Sequence, residues 1–307
     1  MNQELLPGWL HRIVISDDGS SDGTQEILKG IESRNPQVEL VKMFTQADER
    51  VNRYRYNGRI TGKENMRQLM RVNKTFEDAH YIAFCEGDDF WSSPTKLKEQ
   101  IVFLEEQRDY SICWTQAIVI NEEGQELERT AIKQELEFDD VRFNYPVGHT
   151  CCSAVWRAQA FNWELYDRSF LLYSNNDAIW LNALLFGKGR VLNGHWVSRR
   201  VHAGGIWSGE DRILRKINEF DNVNDLGNLF GEAGFPSEEL RSVLEEKVSE
   251  VKEMVTETLS LEDSFRIFWH KYRQTPSSGK KEFWKSRWYG RIEVLRGKSN
   301  LKSNLKS

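Results

Sequence analysis

Arg12–Ser16 is a short β-branched run that passes into the turn-rich Asp17-Asp18-Gly19-Ser20-Ser21-Asp22-Gly23-Thr24, and Gln25–Ser33 then carries apolar residues at helical spacing. The pattern predicts strand, loop and helix. Val38–Phe44 reads as a second strand, Lys63–Ala79 as an amphipathic helix through Met66, Leu69, Met70, Asn73 and Phe76, and Tyr81–Cys85 as a third strand. Strands that alternate with helical stretches imply a parallel sheet with crossover helices. Glu86-Gly87-Asp88-Asp89-Phe90-Trp91 follows the third strand directly. Its carboxylates therefore belong at the carboxyl edge of the sheet, where open α/β folds bind ligands.

Further along, a helix is expected from Pro94 to about Gln107, a strand over Ser111–Asn121 and a turn at Glu122-Glu123-Gly124. Asn175–Phe186 has apolar residues at Ile179, Leu181, Leu184 and Leu185 and predicts a helix ending at Gly187, and Val191 to Val201 reads as extended. Beyond Trp207 the pattern is almost purely helical, over Asp211–Phe220, Ser237–Thr258 and Leu261–Tyr272. No fixed-period repeat is present.

Composition narrows the class. The chain has 307 residues, room for one large domain or two smaller ones, and its 39% hydrophobic residues with only 6 Pro exclude a disordered or fibrous protein. Apolar runs such as Ile118–Ile120 and Ala183–Phe186 fall far short of the roughly 20 residues that span a bilayer, and no basic-then-apolar leader opens the sequence. The expectation is a cytoplasmic protein, with Cys85, Cys113, Cys151 and Cys152, which lack C-x-x-C spacing, as reduced core residues. The net charge of -5 is unevenly spread: residues 266–307 hold twelve Lys or Arg against Glu282 and Glu293, a net of +10. That segment is either a solvated terminus or a peripheral anchor to anionic lipid, with Trp284, Trp288 and Tyr289 interleaved among its charges. The acidic remainder argues against a nucleic-acid partner.

Three carboxylate groupings are candidates for chemistry. Asp88-Asp89, flanked by Glu86, is either a solvated turn or a set of oxygen ligands for Mg²⁺ or Mn²⁺, to which a diphosphate would add. The apolar strand before it and Phe90-Trp91 after it frame it as a site. Asp17-Asp18-Gly19-Ser20 also follows a strand, and acidic groups there can accept hydrogen bonds from a base or ribose, while Asp22-Gly23-Thr24 suits a helix cap. Asn175-Asn176-Asp177 opens a helix, as a cap or as the place of a general base.

These residues resemble the family 2 glycosyltransferases of the GT-A fold. Ile13–Thr24 is similar to that family's first nucleotide-binding motif, and Tyr81–Trp91 to its strand and Asp-x-Asp or Asp-Asp motif. The stretch from Glu86 to Trp91 with Pro94, Lys96 and Leu97 is most similar to members that build bacterial surface polysaccharides. Asn176-Asp177 resembles the late acidic element that supplies the base, and Arg200–Ser208 the Arg-x-His segment that closes the domain. The resemblance covers about residues 10–210 and gives no guidance on the last hundred.

The fold it implies is α/β: a GT-A, Rossmann-like, mostly parallel sheet over residues 1–209, to which the helical pattern of the sequence adds a helical region with a basic tail over 210–307. The activity it implies is inverting, metal-dependent transfer from a nucleotide-sugar, a UDP-sugar, to a saccharide or lipid-linked acceptor, while the charge of the basic segment is what would place the protein at the inner membrane face. Asp18 would bind uracil or ribose with Asp17 and Ser20 in support, and Lys63 and Arg67 would reach the diphosphate or base. Asp89 would be the main ligand of Mn²⁺ or Mg²⁺, Asp88 would contact ribose or the metal, Glu86 would lie behind them, and His202 would add a metal or diphosphate contact. Asp177 would be the base, with Trp91, Asn176 and Arg200 toward donor and acceptor sugars.

The resemblance departs at the start. Members begin with a strand and helix before the Asp-Asp-Gly-Ser strand, and here only twelve residues precede Ile13. Either the start lies upstream of Met1, or a central slot of the sheet is unpaired, which predicts lower stability or activity than a version with the strand restored. A weakly active nucleotide-binding scaffold is the alternative on that account. A nucleotidyltransferase or phosphohydrolase is disfavoured by the lack of a Gly-rich phosphate loop.

Overall fold

The computed structural model describes residues 3–9, 12–17, 20–42, 55–56, 59–60, 79–130, 150–168, 175–203 and 229–230. Asp18, Lys63, Arg67, most of the 63–79 helix, the helices expected beyond residue 210 and the basic segment lie outside the described residues. Chain order begins with β1 (Ile13–Asp17), α1 (Thr24–Glu32) and β2 (Val38–Lys42). β1 and β2 pair in parallel from Ile13 opposite Val38 to Asp17 opposite Lys42, as a strand–helix–strand crossover requires. The turn between β1 and α1 uses Gly23 at φ 91° before the helix, and the Asp22 carboxylate receives the Thr24 N–H at 3.1 Å. Two-residue strands β3 (Arg55–Tyr56) and β4 (Arg59–Ile60) pair with each other.

The site is carried by a second sheet. It is built from β5 (Tyr81–Ala83), β6 (Phe90–Trp91), β7 (Tyr110–Ile120), β8 (Glu126–Arg129), β9 (Val155–Arg157) and β10 (Lys188–Arg200), in the order β5-β9-β7-β10-β6 with β8 on β7. Three helices belong to it: α2 (Lys96–Glu106), α3 (Trp163–Arg168) and α4 (Asn175–Leu184). Nine of the eleven residues of β7 are buried, the mark of a central strand covered on both faces.

This sheet is mixed, where the sequence pattern predicted a mostly parallel one. Only β7 and β10 run parallel, joined through α3 and α4, while β5–β9, β7–β9, β7–β8 and β6–β10 are antiparallel. The reasons are local. The tight turn at Asn121–Gly124, with Gly124 at φ 83°, can only return an antiparallel strand. β9 is three residues long and enters between β5 and β7 from the opposite end. Pro94 lies just outside α2, before Thr95 at its cap, and its carbonyl accepts the Glu4 N–H at 2.7 Å.

The core joins Ile112, Trp114 and Trp156 from the sheet to Phe161, Tyr166, Ile179 and Ala183 from the helical layer, with Phe84 edge-on to Trp156 at 4.8 Å between centroids. Leu229 and Phe230 close a second cluster against Leu165, Ala178 and Leu181. Among the described residues no helix is long and apolar enough to cross a membrane. All four cysteines are free, and Cys113, Cys151 and Cys152 are buried as expected. Cys85 is exposed, because the strand ends at Ala83 and Cys85 already belongs to the loop.

Candidate active site

The acidic loop leaves the carboxyl end of β5 and returns through β6, folding into a turn closed by the Asp89 N–H on the Glu86 carbonyl at 3.2 Å. β10 grips it from the far side of the sheet. The Arg200 N–H donates to Asp89 Oδ1 at 2.8 Å, and Thr150 Oγ1 donates to Asp89 Oδ2 at 3.3 Å. β10 arrives there after register shifts between Leu192 and Val197, around Gly194 at φ 141°, so its last residues are turned relative to its first.

The Arg200 side chain is engaged with main-chain oxygens. It donates to the main-chain oxygens of Asp88 (3.3 Å), Asn121 (3.0 Å) and Glu122 (2.8 Å), tying the acidic loop to the β7–β8 turn. The Ala203 N–H adds a bond to Glu122 Oε1 at 2.9 Å. Asp88 Oδ2 faces His202 Nε2 at 3.1 Å, so these two expected metal residues are brought together as a pair.

A different set converges on Asp89. One ligand atom each from Glu86, Asp89 and Cys152 lies within 4.8 Å of the others, the one such group among the described residues. Glu86 Oε2 is buried and has no hydrogen-bond partner among the described residues. Burial, then the charge of Asp89, pushes the Glu86 carboxyl up to about 7. Burial also raises Asp89, opposed by the Arg200 N–H and by Cys152. An orphaned carboxylate oxygen beside a second carboxylate is a donor set that fits a divalent cation.

Trp91 is fixed rather than free as a platform. Its Nε1 donates to the Cys152 carbonyl at 2.9 Å, and Lys96 Nζ lies over its ring, 4.5 Å from the centroid. Lys96 is fully buried, its Nζ has no hydrogen-bond partner among the described residues, and burial pulls its ammonium down to about 8. On the first strand, Asp17 turns its carboxylate back on the loop, accepting the Ser20 N–H at 3.1 Å and the Ser20 hydroxyl. Asn176 and Asp177 fall in the first turn of α4, inside the helix rather than at its cap. Sequence reasoning pointed to residues 147–153 only as a region toward the sugars, without singling out Thr150 or Cys152 as neighbours of Asp89, and the Cys151–Ser153 turn that presents Cys152 carries no motif of its own.

The model of glycosyl transferase family 2 matches residues 2–161, just over half of the chain. The chain belongs to that family. A Bacillus subtilis protein provisionally named as the teichuronic acid biosynthesis glycosyltransferase TuaG is 28% identical over 145 residues, 46% of this chain and 48% of its own. An uncharacterized protein of Mycobacterium tuberculosis is 29% identical over 112 residues, 36% of this chain and 28% of its own. The chain thus spans less than half the length of these relatives. The crystal structure of S. aureus TarS superposes with a TM-score of 0.53 at 13% identity, covering 90% of this chain and 74% of that one, a likeness of fold alone. The GT-A fold of this family 2 chain agrees with that likeness.

Proposed function

We propose that this family 2 chain is a metal-dependent, inverting glycosyltransferase. In this reading it moves a sugar from a nucleotide-sugar, a UDP-sugar, to a hydroxyl of a saccharide or lipid-linked acceptor in building a cell-surface polysaccharide. The observation that carries it is the acidic loop: Asp89 clamped by Arg200 and Thr150, beside a buried Glu86 oxygen that has no donor. Family membership supports glycosyl transfer, and the name of TuaG supports the polysaccharide direction.

Asp89 and Glu86 would hold Mn²⁺ or Mg²⁺, with Asp88 held by His202 at the rim. A cation bound there neutralises the charge that develops on the diphosphate as the sugar–phosphate bond breaks. Asp17, Asp18 and Ser20 would hold the nucleotide, with Lys63 and Arg67 toward its diphosphate. Asp177 takes the proton of the acceptor hydroxyl while that oxygen bonds to the anomeric carbon. The diphosphate leaves from the opposite face, so the anomeric centre inverts. Trp91 and Asn176 would border the sugars, and the basic segment 266–307 would rest on anionic lipid at the inner membrane face.

Calorimetric titration with UDP, with and without Mn²⁺, on the wild type and Asp89→Ala tests the site, followed by UDP release across a panel of UDP-sugars. Metal-dependent binding lost in the variant, with release from one donor, is the expected result. Absence of UDP and Mn²⁺ binding in the wild type would overturn the reading.

A further inference from the structure

Cys152 was expected to be a core residue, and it does pack with Ala117, Val197 and the partly buried Trp91. Its sulfur also belongs to a group with the Glu86 and Asp89 carboxylates, their donor atoms all within 4.8 Å. That position is imposed by a built frame. Cys151–Ser153 forms a 3₁₀ turn capped by Thr150, whose Oγ1 accepts the Cys152 N–H at 3.2 Å and lies 2.8 Å from Cys152 Sγ. Trp91 Nε1 holds the Cys152 carbonyl at 2.9 Å, and Gln100 Nε2 holds the Ser153 carbonyl at 2.9 Å. Thr150 in turn donates to Asp89. One hydroxyl therefore fixes both the carboxylate and the thiol.

The second observation is independent of the thiol: Glu86 Oε2, in the same group, is buried without a hydrogen-bond partner among the described residues. A ligand that accepts lone pairs from oxygen and sulfur together completes this set, and a divalent cation is such a ligand. We propose that Cys152 is a third protein ligand of the cation, through a thiolate formed by loss of its proton to solvent on binding. The inference rests on the cation reading above and deepens it. Sulfur ligation changes which ion the site takes. Mg²⁺ asks for hard oxygen ligands in near-octahedral geometry, whereas thiolates favour later and softer ions. The site accordingly prefers Mn²⁺, Co²⁺ and Zn²⁺ over Mg²⁺.

The test is optical titration of the full chain with Co²⁺ alone, beside Cys152→Ser and Cys113→Ser, with the fold checked by circular dichroism. A near-ultraviolet sulfur-to-cobalt charge-transfer band in the wild type and in Cys113→Ser, lost in Cys152→Ser while the weaker visible bands remain, is the expected result. Displacement of Co²⁺ should need at least tenfold more Mg²⁺ than Mn²⁺ in the wild type, and that gap should narrow in Cys152→Ser. Should the serine variant fail to fold, X-ray absorption of the Zn²⁺-loaded wild type decides, by a metal–sulfur shell at about 2.3 Å. Co²⁺ bound without the band, a band that survives in Cys152→Ser, or an oxygen-and-nitrogen-only Zn²⁺ shell would each overturn the sulfur ligand and leave the cation reading standing. No binding of Co²⁺, Mn²⁺ or Zn²⁺ overturns both.

Discussion

The main-chain N–H of Arg200 meets the Asp89 carboxylate at 2.8 Å across 111 residues of sequence. The same residue's guanidinium holds the carbonyls of Asp88, Asn121 and Glu122, so one arginine sets the loop from both backbone and side chain. Arg200→Lys keeps the charge, but a single ammonium cannot reproduce that fan of donors. We expect Mn²⁺ affinity and turnover each to fall at least about tenfold, the scale on which partners that orient metal ligands act. Calorimetry on Arg200→Lys checks this, and unchanged affinity would mean that the loop keeps its shape without those three bonds.

Lys96 is fully buried with an ammonium that no acceptor among the described residues satisfies, and it lies over the face of Trp91. Burial holds the ammonium at about 8, below the ordinary lysine value of 10.5. Between those two values the unfolded chain keeps the proton that the folded one has released, so this residue's contribution to stability rises with pH across that window. Below pH 8 its penalty is complete, at about 3 kcal/mol. Lys96→Met removes that penalty and, allowing for the lost ring contact, should leave the protein at least as stable at pH 7. The advantage of the variant should shrink between pH 8 and 9. Urea denaturation of both proteins at pH 7 and pH 9 measures it, and since the buried thiols are common to both, their titration cancels in the difference.

The strands and the acidic loop were legible because their signals are local. Ile13–Asp17 and Val38–Lys42 stand out as β-branched runs around a helical stretch, and Asp88-Asp89 follows an apolar strand. What was not legible depends on pairing at a distance. Val155–Arg157 is too short to show a period, yet its antiparallel entry between β5 and β7 makes the sheet mixed. The same insertion brings Thr150 and Cys152 to Asp89, which no spacing along the chain encodes. Arg200 and His202 lie beside the acidic loop, but that the guanidinium meets three carbonyls depends on the turn at Asn121–Gly124, which packs beside it only in the folded sheet.

Gly187 shows a second way in which a residue was noticed for an incomplete reason. It was expected where the helix ends, and its φ is not in the left-handed region that such glycines often take. A Cβ there would lie 2.8 Å from the Asp109 carbonyl and 3.1 Å from the Ser111 nitrogen, where the Lys188 N–H bonds Asp109 at 2.7 Å to start the β7–β10 pairing. The obstacle is backbone, which cannot swing aside as a side chain can. Gly187→Ala should therefore destabilise by about 1–3 kcal/mol. The midpoint of urea unfolding should fall with its slope unchanged.

Asn182 is fully buried on α4, and its amide clamps the main chain of Asn162: Oδ1 accepts the Asn162 N–H and Nδ2 donates to the Asn162 carbonyl, both at 2.7 Å. Asn162 in turn caps α3, its Oδ1 accepting the Leu165 N–H at 3.0 Å. The cap works only while the clamp holds Asn162 in place. Asn162→Ala should cost about 1 kcal/mol, the usual value of such a cap. Asn182→Ala should cost about 2 kcal/mol, since it leaves both main-chain groups without their partner. Because both changes act on one residue, the double variant should be less destabilised than the sum, by about 0.5 kcal/mol or more. Strict additivity in a double-mutant cycle would show that the α3 cap forms independently of α4.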